Sequence, residues 1–389
     1  MQNKKENEFS SGIAATAPSS TVDIPFELPQ RLFPQDKSKV VLKCIDCHAG
    51  GEPARIILSG LPRLPSECST ALLKRSYMKS NLDHLRKILL LEPRGYPCQN
   101  ADYIFPPDSE GGHIQYVIAE QNEIYPLMSG HNTICVCTAL LECGVIQMVE
   151  PVTKFTLEAP AGLIGITAKC HMGKAQSIAF RNTPSFVEHL DITVQVPRGI
   201  GPVTLDVVYG GMWYAIVDIR QFQKHDATIN LVLDPGNGKE LCRVGEMIKV
   251  ACREQFPVQH PTEDYPGCDI LAFRDGNRNA VIMSNNVLDW DRPETWTAMI
   301  DRSPCGTGTC AIMATLHARG LLQVGEPFEH YSIVGSKFIG TILEETTLED
   351  GRKAIVPQVE GSACITQYCE VVVDPEDPFA EGFRVGDIW

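Results

Sequence analysis

A cysteine followed by small and hydroxyl residues marks one candidate reactive site. The stretch DRSPCGTGTC, residues 301–310, places Cys305 directly before Gly-Thr-Gly-Thr and an apolar run. This pattern predicts a helix that begins at the cysteine, since such residues favour helix N-termini. The unpaired N–H groups there attract anions and lower the pKa of a thiol. We therefore expect Cys305 to be partly ionised beside a carboxylate or phosphate; the alternative is a structural cysteine that caps a core helix.

A second segment repeats the pattern with serine in place of the cysteine. Residues 129–147 and 305–323 align without a gap, with glycine at the second position and again near the end of each segment. Both segments are apolar on nearly all sides, which predicts two buried helices. The agreement indicates an internal duplication. If the two halves meet across a cleft, Ser129 and Cys305 would flank one ligand and exchange protons with its opposite faces.

Short strands separated by Gly and Pro turns make up most of the remaining chain. We therefore predict an α+β fold of two similar halves, each a β-sheet wrapped around one central apolar helix, with the active site in the cleft between them. The first half covers residues 37–200, joined by the C-terminal segment 366–389, and the second covers 201–365, with 196–202 as the linker. Residues 1–36 are polar and lack periodicity, which predicts a disordered tail.

The composition excludes several classes of function. The net charge of −14 argues against nucleic acid and anionic membranes as partners, because both attract clustered Lys and Arg. We find no signal peptide, so we expect a cytoplasmic protein whose 15 cysteines are free thiols. The haem-like motif CIDCH at residues 44–48 lies in an alternating pattern that favours a strand. Glu52 and Arg55, which follow it, are expected to form a structural ion pair.

The motifs at both helix starts resemble those of the proline racemase family, which also contains hydroxyproline 2-epimerases and trans-3-hydroxy-L-proline dehydratases. The resemblance rests on MSGHNT at residues 128–133 and DRSPCGTGTC at 301–310. Supporting matches include DCHAGGEPARII at 46–57 and YGGMWYAIVD at 209–218, and the resemblance extends from about residue 40 to the end. It implies a fold like that of diaminopimelate epimerase, no cofactor, no metal and a small-molecule substrate, either proline or hydroxyproline.

The resemblance also implies a role for each residue at the helix starts. Ser129 and Cys305 hold the positions of the two catalytic cysteines of a racemase, and Asp301 would contact the ring nitrogen of the substrate. Four further residues would hold the substrate carboxylate: Gly130, His131, Gly306 and Thr307. Because a serine hydroxyl is a much poorer base than a thiolate, we do not expect rapid symmetric racemisation of proline.

The first functional hypothesis is therefore abstraction of the α-proton from trans-3-hydroxy-L-proline, followed by dehydration to a pyrroline-2-carboxylate. Dehydration needs only one strong base, because the 3-hydroxyl leaves as water and no proton returns to the α-carbon. The alternatives are 4-hydroxyproline 2-epimerase or proline racemase activity, which would require an activated Ser129 with His131 as helper. A catalytically silent imino-acid-binding protein is an alternative from another class. The sequence does not decide between a monomer and a homodimer.

Overall fold

The computed structural model describes residues 40–223, 229–262, 267–284 and 287–386. The segment 1–36, for which a disordered tail is predicted, lies outside the described residues. Within the described ranges the chain forms five α-helices and seventeen β-strands. The fold is therefore a mixed α/β structure dominated by strands.

The helices lie between groups of strands. They are α1 Ala71–Asn81, α2 Asp83–Leu90, α3 Gly130–Glu142, α4 Gly238–Gln255 and α5 Gly306–Ala318. The strands of the N-terminal part are β1 Val40–Ala49, β2 Glu52–Ser59, β3 Ala101–Phe105, β4 Ile114–Ala119, β5 Val152–Ala159, β6 Gly162–His171 and β7 Lys174–Arg181. The later strands are β8 Phe186–Val196, β9 Gly201–Tyr209, β10 Trp213–Asp218, β11 Ile270–Asp275, β12 Arg278–Ser284, β13 Ala298–Asp301, β14 Pro327–Tyr331, β15 Lys337–Thr347, β16 Lys353–Gly361 and β17 Ala363–Val373.

These strands pair into one large and mostly antiparallel β-sheet. The pairings run from β17 to β1 and in sequence order to β7, and β7 then pairs with β16. From β16 they continue through β15 and β14 to β12, and then through β11, β10 and β9 to β8. The haem-like CIDCH motif lies inside β1, so the predicted strand is confirmed there.

The predicted linker at residues 196–202 is the turn of the β8–β9 hairpin. Val196 pairs with Gly201 across this turn. Its residues Arg198 and Gly199 adopt positive φ angles of 60° and 88°, which suit a tight reversal. A hairpin turn and an interdomain linker share the same Gly- and Pro-rich composition, so the sequence pattern alone does not distinguish between them. The division into two similar halves near residue 200 stays a prediction, as does the likeness to diaminopimelate epimerase.

Helices α3 and α5 are enclosed by the sheet, which confirms the two predicted buried helices. Residues 130–141 of α3 and 306–316 of α5 are all buried. Helix α3 packs on β1, β2, β7 and β17, whereas α5 packs on β8, β9, β15 and β16. Apolar side chains of both helices belong to one hydrophobic core. A helix with sheet on most sides has no solvent face, so neither sequence shows a polar stripe.

The other helices cover further parts of the sheet. Helix α4 packs on β8, β11, β12 and β13 around a second apolar core, and α1 and α2 pack against β3 and β4 around a third. Among the described residues, no helix combines the length and the apolar character needed to cross a membrane.

Asp102, on β3, is a fully buried carboxylic acid without a hydrogen-bond partner among the described residues. Burial raises its pKa well above the usual value, and the charge of Glu120 raises it further. The folded protein therefore keeps Asp102 protonated at pH values at which the unfolded chain ionises it. A raised pKa in the folded state means that stability is lost as the pH rises above the ordinary pKa of aspartate.

We predict that Asp102→Asn makes the protein less sensitive to alkaline pH. Between pH 5 and 8 the free energy of unfolding of the wild type should fall relative to the variant by up to about 1.4 kcal/mol per pH unit, the value for one proton. Urea unfolding at several pH values measures this difference. Parallel pH profiles for the two proteins would contradict the prediction.

Candidate active site

The N-termini of α3 and α5 touch at their first residues. A Cβ atom added to Gly130 or to Gly306 would lie 2.7 Å from the Cα of the other glycine. The ring of Phe180 packs against the same contact, 3.1–3.2 Å from these positions. Ser129 and Cys305, which precede the two glycines, are the N-cap residues of the adjoining helices. The contact places a hydroxyl and a thiol at neighbouring helix starts; their catalytic roles stay a prediction.

Cys305 sits in a strained and buried position. Its φ angle of +63° lies in the left-handed region, which is costly for a residue other than glycine and is often found at functional sites. Its backbone N–H donates to Ser303 Oγ at 3.0 Å. Its Sγ lies 3.2 Å from the hydroxyl of Tyr214 and 3.8 Å from Thr307 Oγ1. The thiol is thus surrounded by groups able to donate hydrogen bonds to sulfur.

Burial raises the pKa of the Cys305 thiol above its usual value, and the carboxylate of Asp301 raises it further. Hydrogen bonds from Tyr214, from the backbone N–H of Gly308 and from Thr307 lower the pKa in part. The expectation that the helix N-terminus leaves Cys305 partly ionised is therefore wrong in this structure. Loss of hydration outweighs the local donors, because the charged form of a buried group loses its contact with water.

Ser129 has a different set of partners. Its Oγ accepts a hydrogen bond from Asn132 Nδ2 at 3.1 Å and lies 3.3 Å from His131 Nδ1. On the other side of the ring, Asn100 Nδ2 lies 3.1 Å from His131 Nε2. The ring also donates a hydrogen bond to the carbonyl of Pro53. His131 therefore connects Ser129 to Asn100 and to the backbone at Pro53.

Burial lowers the pKa of His131 below its usual value, although Asp301 and the carbonyl of Pro53 act in the opposite direction. The imidazole is therefore neutral near pH 7. At the other helix, Thr307 Oγ1 lies 2.6 Å from the hydroxyl of Tyr214. His131 and Thr307 thus occupy the first turns of the two helices, where backbone N–H groups have no partner within the helix. Which ligand group each of them holds stays a prediction.

Two buried acidic residues from distant parts of the sequence lie at the helix starts. Asp301 ends β13 and accepts a hydrogen bond from the N–H of Ser303 at 2.7 Å. Glu52 begins β2 and accepts one from the N–H of Arg302 at 2.7 Å. Burial and the charge of Asp301 raise the pKa of Glu52 well above its usual value. Glu52 therefore joins the β1–β2 hairpin to the segment that precedes Cys305.

The predicted ion pair between Glu52 and Arg55 is not formed. Arg55 instead donates to both carboxylate oxygens of Asp46, at 2.9 and 2.8 Å. In a strand, neighbouring side chains alternate between faces, so Glu52 and Arg55, three positions apart, project to opposite sides. Sequence reasoning missed Glu52, Tyr214 and Asn100 as site residues. The only sequence signal for Tyr214 was its place in the YGGMWYAIVD motif.

In the part of the chain that the structure describes, no group of three or more His, Cys, Asp or Glu side chains is arranged to hold a metal ion. The helix starts carry a thiol, a hydroxyl and their hydrogen-bond partners. Such a set can transfer protons on two sides of a carbon atom and stabilise negative charge at the helix N-termini.

The chain is similar to known proteins over most of its length. The family model described as proline racemase matches residues 44–384. The chain is 35% identical over 353 residues to the 4-hydroxyproline 2-epimerase of Agrobacterium fabrum strain C58, which covers 90% of this chain and 97% of that protein. It is also 35% identical over 352 residues to 4-hydroxyproline 2-epimerase 1 of Rhizobium rhizogenes strain K84, with the same coverage of 90% and 97%.

Two solved structures are similar over nearly the same length. One is a hydroxyproline epimerase from Agrobacterium vitis with bound trans-4-hydroxy-L-proline, which has a TM-score of 0.78 and 33% identity over 90% of this chain and 97% of that one. The other is a probable proline racemase from Agrobacterium radiobacter K84 with bound carbonate, with a TM-score of 0.78 and 34% identity over 90% and 98% of the two chains.

We predict that Gly306→Ala destabilises the protein, because the new Cβ would lie 2.7 Å from the backbone of Gly130, which cannot move without shifting α3. The expected loss in free energy of unfolding is about 1–3 kcal/mol, as for other overpacked cores. Urea unfolding measures it. The matched control is Gly165→Ala on β6, where an added Cβ meets no atom within 4 Å. Equal stability of the two variants would show that the contact is not tight.

Proposed function

The chain belongs to the proline racemase family, and we propose that it is a cofactor-independent 4-hydroxyproline 2-epimerase. The observation that carries the proposal is the contact between two helix starts, one capped by the thiol of Cys305 and the other by the hydroxyl of Ser129. The two 4-hydroxyproline 2-epimerases at 35% identity, which align over 90% of this chain, support the same substrate class.

In the proposed complex the substrate carboxylate lies at the N–H groups of the two helix starts, formed by Gly130, His131, Gly306 and Thr307. The partial positive charge of both helix N-termini favours an anion at this point. The carboxylate of Asp301 faces the protonated ring nitrogen. The α-carbon then lies between Cys305 and Ser129.

The proposed reaction consists of two proton transfers on opposite faces of the α-carbon. The thiolate of Cys305 takes the α-proton, and the electron pair of the broken C–H bond delocalises onto the carboxylate, where the helix N-termini stabilise it. The hydroxyl of Ser129 then gives its proton to the opposite face, which inverts the configuration. The hydrogen bond from Asn132 stabilises the resulting serine alkoxide, and Cys305 and Ser129 recover their starting protonation by exchange with water.

Substrate binding would itself activate the thiol. Burial and the charge of Asp301 raise the pKa of Cys305, and a positively charged ring nitrogen beside Asp301 would cancel the second of these effects. The hydrogen bonds to the sulfur would remain and favour the thiolate. Binding of an imino acid would therefore lower the pKa of the thiol.

Dehydration of trans-3-hydroxy-L-proline is a second candidate function, and the specific observation in its favour is Ser129. Only one strong base is needed for this reaction, which matches a site with one thiol. Cys305 would take the α-proton, and the hydroxyl of Ser129 would protonate the 3-hydroxyl group as it leaves as water. The enamine product would tautomerise to a pyrroline-2-carboxylate. The named relatives favour the epimerase over this alternative.

We predict that the purified protein epimerises trans-4-hydroxy-L-proline. Polarimetry and chiral chromatography should show the inverted product. When the reaction runs in deuterated water, mass spectrometry should show one deuteron in that product, since protons are exchanged at the α-carbon alone. A parallel assay with trans-3-hydroxy-L-proline and L-proline tests the alternatives. Pyrroline formation without epimerisation would replace the first proposal by the dehydratase, and no exchange with any of these substrates would contradict both.

We also predict opposite effects for changes at the two helix caps. Cys305→Ser should lower kcat about 10²–10⁴-fold, because the strong base is lost. Ser129→Cys should raise the rate of proline racemisation about tenfold or more, because a thiolate is the better base on that face. Ser129→Ala serves as the control for loss of the group. A Cys305→Ser enzyme with wild-type rates would remove the thiol from the mechanism.

A further inference from the structure

Tyr214 connects the thiol of Cys305 to the first turn of α5. It lies on β10 and is fully buried. Its hydroxyl is 3.2 Å from Cys305 Sγ and 2.6 Å from Thr307 Oγ1, so one phenol contacts both side chains. The space around the sulfur is tight, since a Cβ added to Gly308 would lie 3.3 Å from Sγ. The phenol therefore restricts the position of the sulfur and can also donate a hydrogen bond to it.

The protons of this group can be assigned when Cys305 is ionised. A thiolate only accepts hydrogen bonds, and the phenol oxygen lies nearer to the sulfur than Thr307 Oγ1 does, at 3.2 Å against 3.8 Å, so we assign the phenol proton to the sulfur. The phenol oxygen is then left to accept the proton of Thr307, which gives a chain of donors from Thr307 to Tyr214 to Cys305. Burial and the nearby Cys305 raise the pKa of Tyr214 well above its usual value, so the phenol keeps its proton.

The charges that face Cys305 make this donor important. Asp301, at the end of β13, opposes ionisation of the thiol, and burial does the same. On α5 the N–H of Gly308 and the hydroxyl of Thr307 favour ionisation, and on β10 Tyr214 does. Tyr214 is therefore the favourable contact that comes from outside the helix of Cys305. On the other face, Ser129 contacts an amide and an imidazole, so the two sides are unlike.

We propose that Tyr214 is a positioning residue that holds the sulfur of Cys305 at the helix start and stabilises its thiolate, which increases the fraction of Cys305 that is ionised and able to accept a proton. The proposal rests on the proposed function only for its effect on turnover. Its effect on thiol ionisation can be measured without any substrate.

The test compares wild type with Tyr214→Phe, which removes only the hydroxyl. The rate of alkylation of Cys305 by iodoacetamide is followed from pH 6 to 11 by mass spectrometry of the peptide that contains it. We expect the pH midpoint to rise by about one unit in the variant, which corresponds to about tenfold less thiolate below the midpoint. For turnover we expect kcat to fall about 10–100-fold and KM to change less than about threefold.

The control is Tyr103→Phe, since Tyr103 is a fully buried tyrosine of a different core whose hydroxyl has no partner among the described residues. Its midpoint should equal that of the wild type. Should Tyr214→Phe not fold, Thr307→Val and Thr307→Ser replace it, and only the valine variant should raise the midpoint. An unchanged midpoint in the folded variant overturns the proposal. A raised midpoint in a protein that turns over no imino acid overturns the proposed function alone.

Discussion

The contact between Gly130 and Gly306 is the constraint on which the remaining structure depends. It brings together two helix N-termini, each with a partial positive charge, inside a core that excludes water. Two like helix ends repel each other unless negative charge lies nearby. The buried carboxylate of Asp301 lies beside these ends, and a bound carboxylate would add a second negative charge. Close packing and the need for an anion are therefore two consequences of one contact.

The two helix starts share one hydrogen bond but not a chemistry. Thr133 and Thr309 each donate to the carbonyl of their own N-cap residue at 2.7 Å, although the N-cap backbones differ, with φ −144° at Ser129 and +63° at Cys305. The N-cap side chains differ, and so do their neighbours. Cys305 contacts a phenol, whereas Ser129 contacts an imidazole and an amide. Two similar helix starts thus carry side chains of unlike chemistry, which suits the proposed reaction, whose two steps are not mirror images.

Features that depend on short-range pattern could be predicted from the sequence, and features that depend on distant contacts could not. The two buried helices follow from runs that are apolar on all sides, and their first residues follow from glycine and hydroxyl signals. The bond from Arg302 to Glu52 joins residues 250 positions apart, and the phenol of Tyr214 reaches Cys305 across 91 positions. The raised pKa of Cys305 has the same origin, because burial by the surrounding sheet cannot be read from the residues next to the thiol.

The acidic residues near the helix starts also explain how a negatively charged protein can bind an anion there. Burial and Asp301 raise the pKa of Glu120 to about 8, and they raise the pKa of Glu52 as well. Both groups are therefore largely protonated near pH 7, and they repel a carboxylate little. The carboxylate of Asp301 then remains to meet the ring nitrogen. The net charge of −14 thus describes the whole chain, whereas the charge that a ligand meets is set by which of these three acids stays protonated.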